Sequence, residues 1–474
     1  EILIGLVGSE MCIRDSIVAD GQTVTYGSPT LRFTHRTARV TIVLTDYTEG
    51  LASVRLTGLS TEGGNPAEIT PYDKGSNTYT ALVAPQSVVA GTAFITCTFT
   101  NGKTFVYKMK NATDWQAGGE YTYTVSLTAA KDPGYTIEGN GSYTVTSADG
   151  LMHVADLVNG GKTDINITLD KNIDLTGKGW TPIGTSFDNS YKGTFDGGGH
   201  TITGLAVTTN DQFVGLFGYL NRAGTVKNVV MEGIQITSNH GSSQAGGVVG
   251  FSRGTIENCS VSGSVSGTVY VGGVVGAQWG GSITGCSSSA TVKGMVRAGG
   301  VAGATNSGAS LTGCYATGSV SVENNTTSAA YAGGVVGSNG ASSTLTACYA
   351  TGSVTGSGSG TIYTGGVTGT NDCGTLTACY HANGTVSGPD GTTGGVTGRN
   401  FKDSLLGSGI ITACYWGSNG QTQGIGDNQA GTTGGTTQVD GTNVKWEDTI
   451  DSMNTALQKA GSEWQYEPGD SLPT

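Results

Sequence analysis

GGVVGFSRGTIENCSVSGSVSGTVYVGGVVGAQWGGSITGC, residues 246–286, states one pattern twice. Two glycines, a valine, a small residue and a glycine are followed by an aliphatic residue (Ile256, Ile283) and, three positions on, by a cysteine (Cys259, Cys286). The block ends at Gly250 and Gly276 and returns ending at Gly303, Gly337, Gly369 and Gly398, with a divergent VGLFG ending at Gly218. From Gly218 onward the spacings are 32, 26, 27, 34, 32 and 29 residues. The aliphatic-to-cysteine step returns as Leu311 and Cys314, Leu345 and Cys348, Leu376 and Cys379, and Ile411 and Cys414, and Val226 and Val229 hold those places in the divergent copy. A period in this range means stacked structural repeats, because one copy cannot bury its own apolar face.

Alternation assigns sides. The first valine of each block (Val248, Val274, Val301, Val335, Val367, Val396) is invariant among the six copies, whereas the next position accepts Val, Ala and Thr, so the first is expected to point inward. Coils stacked about 4.8 Å apart would then carry internal columns of valine, aliphatic residue and cysteine. Glycine at so many turns is expected to supply positive φ. Parallel coils with right-handed connections predict a right-handed parallel β-helix. Residues 147–158 (SADGLMHVADLV) and residues 449–460 read as short helices capping its two ends.

Upstream the texture differs. Segments such as residues 31–44, 78–86, 92–109 and 120–128 alternate with period two and are rich in β-branched and aromatic residues, which predicts strands. Asn101 and Gly102 form a hairpin signal between two of them. About seven strands in this length make a β-sandwich the expectation. The whole chain thus reads as all-β: a sandwich over residues 17–128, a linker over 129–142, the β-helix over 143–416 and a C-terminal cap over 417–474. Residues 6–16, LVGSEMCIRDS, match one frame of a transposon-type sequencing adapter, so residues 1–16 are expected to be non-native read-through.

Composition agrees. Glycine supplies 81 of 474 residues and charged residues 12%, and the net charge is -12. Such a balance argues against a nucleic-acid surface, and no apolar run reaches the 18 or so residues of a membrane span.

Two resemblances carry further expectations. Phe33, His35 and Ala38 in LRFTHRTARV, Pro85 and Gln86 before an alternating strand, and Gln116-Ala117-Gly118 leading to Tyr121 and Tyr123 resemble the fimbrillin-type pilin domain of Bacteroidales surface fimbriae. The repeats resemble GLUG repeats of bacterial surface proteins, adhesins and some immunoglobulin-A peptidases, with WTPIG (residues 180–184) and GTFDGGGHTI (residues 193–202) as the opening and CYATGSV twice (residues 314–320 and 348–354). Together they imply a surface fimbrial or adhesin-type protein, outside the cell or on the outer membrane and lipid-anchored through a segment upstream of Ile17. Its partners would be other fimbrial subunits, joined by strand addition at a sandwich edge, and a glycan or host-protein ligand. The alternative is a surface-displayed polysaccharide-processing β-helix.

The search for chemistry returns little. The five histidines (35, 153, 200, 240, 381) form no HExxH motif. Ser252 stands in a GxSxG frame, but Gln278 takes the serine's place in the next copy. Glu257, Glu323, Asp372 and Asp390 fall at unrelated repeat positions, so no acid/base pair is expected, and Asp196 before three glycines reads as a turn residue. No catalytic residue, cofactor or metal is expected. The column Cys259, Cys286, Cys314, Cys348, Cys379 and Cys414 is expected to hold free buried thiols, with Cys373 exposed outside it. Residues following those cysteines should face out: Ser260 and Ser287, then Tyr315, Tyr349, Tyr380 and Tyr415. With Tyr270, Tyr331 and Tyr363, which stand two residues before paired glycines, they are the candidate ligand-binding residues. Asp403-Ser404, Asp448-Thr449, Asp451-Ser452 and Asp470-Ser471 resemble acidic-led O-glycosylation sequences of exported Bacteroidales proteins.

Overall fold

The computed structural model describes residues 34–46, 48, 50–100, 103–128, 133–432, 434–469 and 471–474, together with the backbone of the strand Ile17–Val18. The adapter-like residues 1–16 and the Asn101-Gly102 turn lie outside the described residues. Residues 1–132 and 133–474 form two compact units.

In the first unit a four-stranded sheet runs in the order Glu120–Ser126, Ala38–Thr45, Thr78–Val83, Tyr72–Gly75, and a three-stranded sheet in the order Leu51–Leu56, Ala93–Phe99, Thr104–Lys108. The strands that flank residues 101–102 in sequence pair antiparallel, Thr98 opposite Thr104. The pair between Glu120–Ser126 and Ala38–Thr45 is parallel, Glu120 opposite Arg39 through Ser126 opposite Thr45. Alternation decides the core: Ala38, Val40, Ile42 and Leu44 point from one sheet against Phe94, Cys97 and Phe99 of the other. The QAG motif makes a tight corner, where the Tyr121 hydroxyl donates to the Asp114 carbonyl at 2.9 Å and accepts the Gln116 N–H at 2.9 Å.

The second unit is a β-solenoid of about nine turns. One middle rung carries the strands Gln244–Gly246, Val249–Ser252, Thr255–Glu257 and Ser260–Ser266, and in the next the last of these is split into Ser287–Ser288 and Thr291–Gly294. Rung on rung they pair parallel, in sheets of 7, 9, 11 and 15 strands to which only Tyr135–Ile137 and Gly407–Ser408 are joined antiparallel. One column runs Ile256, Ile283, Leu311, Leu345, Leu376, Ile411, all buried. Val248, Val274, Val301, Val335, Val367 and Val396 are fully buried at the corner between the first two strands of a rung. The following position, expected to be the looser one, is buried as well (Val249, Val275, Ala302, Val336, Thr368, Thr397), since it opens the next strand facing the same core.

The glycine expectation holds at turns such as Gly198, Gly204 and Gly285, which have positive φ, but not at the paired glycines. A Cβ on the first glycine of the pair would stand 2.0 Å from the carbonyl oxygen three residues on in the rungs of Gly272, Gly299, Gly333 and Gly365, and none of these four has positive φ. Close backbone approach, not left-handed backbone, fixes the paired glycines. Left-handed residues sit instead just before each cysteine: Asn258, Gly285, Gly313, Ala347, Ala378 and Ala413.

Two further differences concern the ends. Residues 135–137, expected as linker, form the strand Tyr135–Ile137 antiparallel to Tyr143–Val145, because the Tyr135 ring packs on Tyr143 and stacks on His153. Helix α1, Ala148–Asn159, is capped by Ser147, whose Oγ accepts the Gly150 N–H, and buries Leu151, Val154 and Val158 in the solenoid core. Helix α2, Trp446–Lys459, was expected across the far end, yet it lies along the flank. Its Met453 and Leu457 pack on Ala347, Ala378, Tyr380 and Tyr415 of successive rungs.

Candidate functional site

Candidate residues fall on two outer faces. On the first, Ser260, Ser287, Tyr315, Tyr349, Tyr380 and Tyr415 stand in one register column. The rings stack nearly parallel: Tyr315 on Tyr349 at 5.0 Å and 4°, Tyr349 on Tyr380 at 4.8 Å and 1°. Their expected exposure is corrected for half the column, because Tyr315 is 37% exposed whereas Tyr380 is 1% and Tyr415 7% exposed. The C-terminal segment covers them. Tyr380 donates to the Pro473 carbonyl at 2.6 Å and Tyr466 to the Ala378 carbonyl at 2.9 Å. Further along, the Trp464 ring lies where a Cβ on Gly313 would fall, 2.3 Å from the nearest ring atom. Tyr315 and Tyr349 alone of the four keep open surface.

On the second face the column runs Phe213, Gln244, Tyr270, Arg297, Tyr331, Tyr363. Tyr331, expected to be open, is 7% exposed, because it stacks on Tyr363 at 5.5 Å and is flanked by Arg297 and Arg399. The neighbouring column carries Tyr219, Phe251, Ala277, Ala304, Ser338, Thr370 and Arg399. Large residues at both ends and small ones between leave a cleft of about 320 Å³ walled by Tyr270, Arg297, Trp279 and Phe401. This depression was not foreseen, although the residue after each block's last glycine already shows the large-small-large sequence.

One position further on, every block carries a polar residue: Ser252, Gln278, Thr305, Asn339, Asn371 and Asn400. All are essentially buried, and the four from Thr305 to Asn400 form a hydrogen-bonded column beneath the cleft. Asn339 donates to Asn371 at 2.8 Å, and Asn371 to Asn400 at 3.0 Å. Ser252 stands in the same register and its Oγ accepts the Gly254 N–H at 3.2 Å, a turn bond. Cys259, Cys286, Cys314, Cys348, Cys379 and Cys414 are buried and free, and each directs its Sγ toward the carbonyl two residues earlier at 3.2–3.4 Å. Burial pushes the Cys314 and Cys379 thiols above the usual range. Cys373 is half-buried, its Sγ 3.0 Å from the Gly407 carbonyl.

Asp196, Asp372 and Asp403 are each engaged in a turn or an ion pair. Asp196 accepts from the Gly198 N–H and from Asn228, both at 2.9 Å, and pairs with Lys227 at 3.3 Å. Asp372 pairs with Arg399, and Asp403 accepts the Leu405 and Leu406 N–H groups at 2.7 and 2.9 Å. His381 is buried, donating from Nε2 to the Gly352 carbonyl at 2.9 Å and accepting from Asn419 at Nδ1 at 3.1 Å, and burial pushes its pKa down to about 4. Among the described residues no group of three or more His, Cys, Asp and Glu side chains could hold a metal ion. Nor is any helix among them long and apolar enough to cross a membrane. Of the glycosylation-like sequences, Ser404 and Ser452 are exposed, Thr449 is 1% exposed and bonded to the Trp446 carbonyl, and Asp470 lies outside the described residues.

Comparison with known proteins adds the following. Over 101 residues, 21% of this chain but 1% of the relative, the sequence is 41% identical to Halomucin of Haloquadratum walsbyi. The chain therefore spans a very small part of that protein. Among solved structures, a "putative immunoglobulin A1 protease" from Bacteroides ovatus matches 70% of this chain and 91% of its own at 19% identity and a TM-score of 0.42. An "IgA1 Protease" matches 82% of this chain and 29% of its own at 14% identity and a TM-score of 0.39. At such TM-scores neither likeness bears on this chain's activity. The fimbrillin-like family model matches residues 12–146, opening inside the adapter-like stretch, and the GLUG motif model matches residues 241–266 and 267–293. The chain therefore carries a fimbrillin-like domain followed by a GLUG-repeat region.

Proposed function

We propose that this is a non-catalytic adhesin-type protein of the cell surface, in which the fimbrillin-like domain joins fimbrial subunits and the solenoid presents its outer faces to a glycan or host-protein ligand. The carrying observation is the joining of these two domains in one chain. The engagement of Asp196, Asp372 and Asp403 in turns and ion pairs supports the non-catalytic part, since a glycan-cleaving site needs two carboxylates free to work on one bond.

Strand addition is the proposed mode of assembly. Among the described residues Thr104–Lys108 and Glu120–Ser126 each pair on one side, leaving main-chain groups for an incoming strand. The open parts of the tyrosine columns, Tyr315 and Tyr349 on one face and Tyr270 and Tyr363 on the other, are the proposed ligand contacts. A lipid anchor upstream of Ile17 would hold the assembly at the outer membrane.

Immunogold labelling of native cells and of sheared fimbriae, with antibody to the solenoid, tests the reading. Label on the cell exterior and on fibres is expected. Label confined inside the cell would end it.

A further inference from the structure

The cleft on the second face holds an unusual set of charges for so acidic a chain. Residues 133–474 contain four arginines, and three of them, Arg253, Arg297 and Arg399, lie on this face interleaved with aromatic rings. Two carboxylates also line the cleft: Asp372, which neutralises Arg399, and Asp403, which accepts the Leu405 and Leu406 N–H groups. Arg297 makes no ion pair or side-chain hydrogen bond among the described residues. Its guanidinium lies 5.2 Å from the Tyr270 ring centroid and 5.3 Å from that of Tyr331, rings contributed by the rungs on either side. The guanidinium thus lies between two rings, and its N–H donors, none of them bonded to a side chain among the described residues, can meet a planar oxyanion in a bidentate manner.

The rest of the cleft suits a ring-bearing chain. Ala304 and Ser338 form a low floor, and Trp279 and Phe401 offer flat apolar faces at its two ends. Those end residues stand four rungs apart, about 19 Å at the strand spacing, enough for several linked rings. Aromatic planes against sugar faces and an arginine edge against an acid group are complementary to a charged sugar, whereas a neutral one would leave the guanidinium unpaired.

We infer that this cleft binds an acidic saccharide, a uronate-bearing chain that places a sugar carboxylate on Arg297 and a ring on Trp279. The inference deepens the proposed adhesive role by naming its ligand class and rests on that role only in treating the solenoid exterior as a binding surface.

The full chain would be titrated with polygalacturonate, alginate and hyaluronan, with their carboxyl-reduced neutral counterparts, and with dextran sulfate. Binding to at least one uronate polymer is expected, weaker by tenfold or more for its reduced counterpart and falling as salt rises. Arg297→Gln and Trp279→Ala should each weaken it by tenfold or more at an unchanged unfolding midpoint, and Lys162→Gln should leave it unchanged. Equal binding of the reduced polymers, unchanged binding by Arg297→Gln, binding of dextran sulfate alone, or no binding to any uronate polymer would each overturn the assignment. Polymer binding without surface display would end the adhesive reading and keep the cleft. Surface display without polymer binding would do the reverse.

Discussion

The tyrosine column that begins at Tyr315 makes a graded prediction, because chemically identical residues on successive rungs differ in what covers them. Tyr380→Ser removes a ring that is 1% exposed, lies 5.0 Å from Trp446 and 5.8 Å from Tyr466, and donates to the Pro473 carbonyl at 2.6 Å. Truncating a buried aromatic costs about 3–5 kcal/mol, and the lost hydrogen bond adds about 1 kcal/mol. Tyr315→Ser removes a ring that is 37% exposed and touches one stacked neighbour, at 5.0 Å. That contact is worth about 0.5–1.5 kcal/mol. Solenoid rungs contact only their neighbours, so the Tyr380 loss falls on docking of the C-terminal segment rather than on the distant rungs. Urea titration followed by tryptophan fluorescence, with hydrogen exchange over Trp446–Lys459, should show early release of that helix in Tyr380→Ser and parent-like protection in Tyr315→Ser. Equal effects of the two substitutions, or full protection of the helix in Tyr380→Ser, would refute the lateral docking.

Other outcomes follow from the same geometry. His381 takes up its proton near pH 6.5 when unfolded but only near 4 when folded, so stability is lost as pH falls through that window, by up to about 3 kcal/mol; His381→Ala, the residue of the two preceding rungs, should flatten that part of the pH profile. Of the eight described cysteines, a thiol reagent should label Cys373 at most in the native protein and all eight after unfolding under non-reducing conditions, and fewer than eight would reveal a disulfide. Gly299→Ala, whose Cβ would meet the Ala302 carbonyl at 2.0 Å, should cost more than about 3 kcal/mol in chemical denaturation, against little change for Gly241→Ala, which meets nothing within 4 Å. Intact mass of natively expressed protein should exceed the bare chain if Ser404 or Ser452 is glycosylated, and should lose nothing in Thr449→Val.

Much of this was legible because a repeat writes its core many times. Invariance of Val248 and its five equivalents, and the fixed step from aliphatic residue to cysteine, are enough to place both columns inside. What escaped depends on contacts between distant parts of the chain. Alternation correctly turns Tyr380 and Tyr415 away from the solenoid core, but says nothing of Met453, Leu457 and Tyr466 arriving from the C-terminal segment to cover them. The alanines at left-handed positions 347, 378 and 413 mark where that cover lies, since their methyl groups pack beneath it while Gly313 makes room for Trp464. The paired glycines are visible in the sequence, but the reason for them is not, because only coordinates show the carbonyl that a Cβ would strike. The cleft was written in the residues after each block and was missed because no single copy contains it.

The central claim, a surface that binds without turning over, is tested most directly by measuring both quantities in the same samples. Full-length protein would be incubated with the uronate polymers, with bound polymer, new reducing ends and unsaturated products followed over a day. Saturable binding with no product above a protein-free control is the predicted result. Product accumulating in proportion to protein concentration would contradict the account and establish a polysaccharide-processing enzyme in its place.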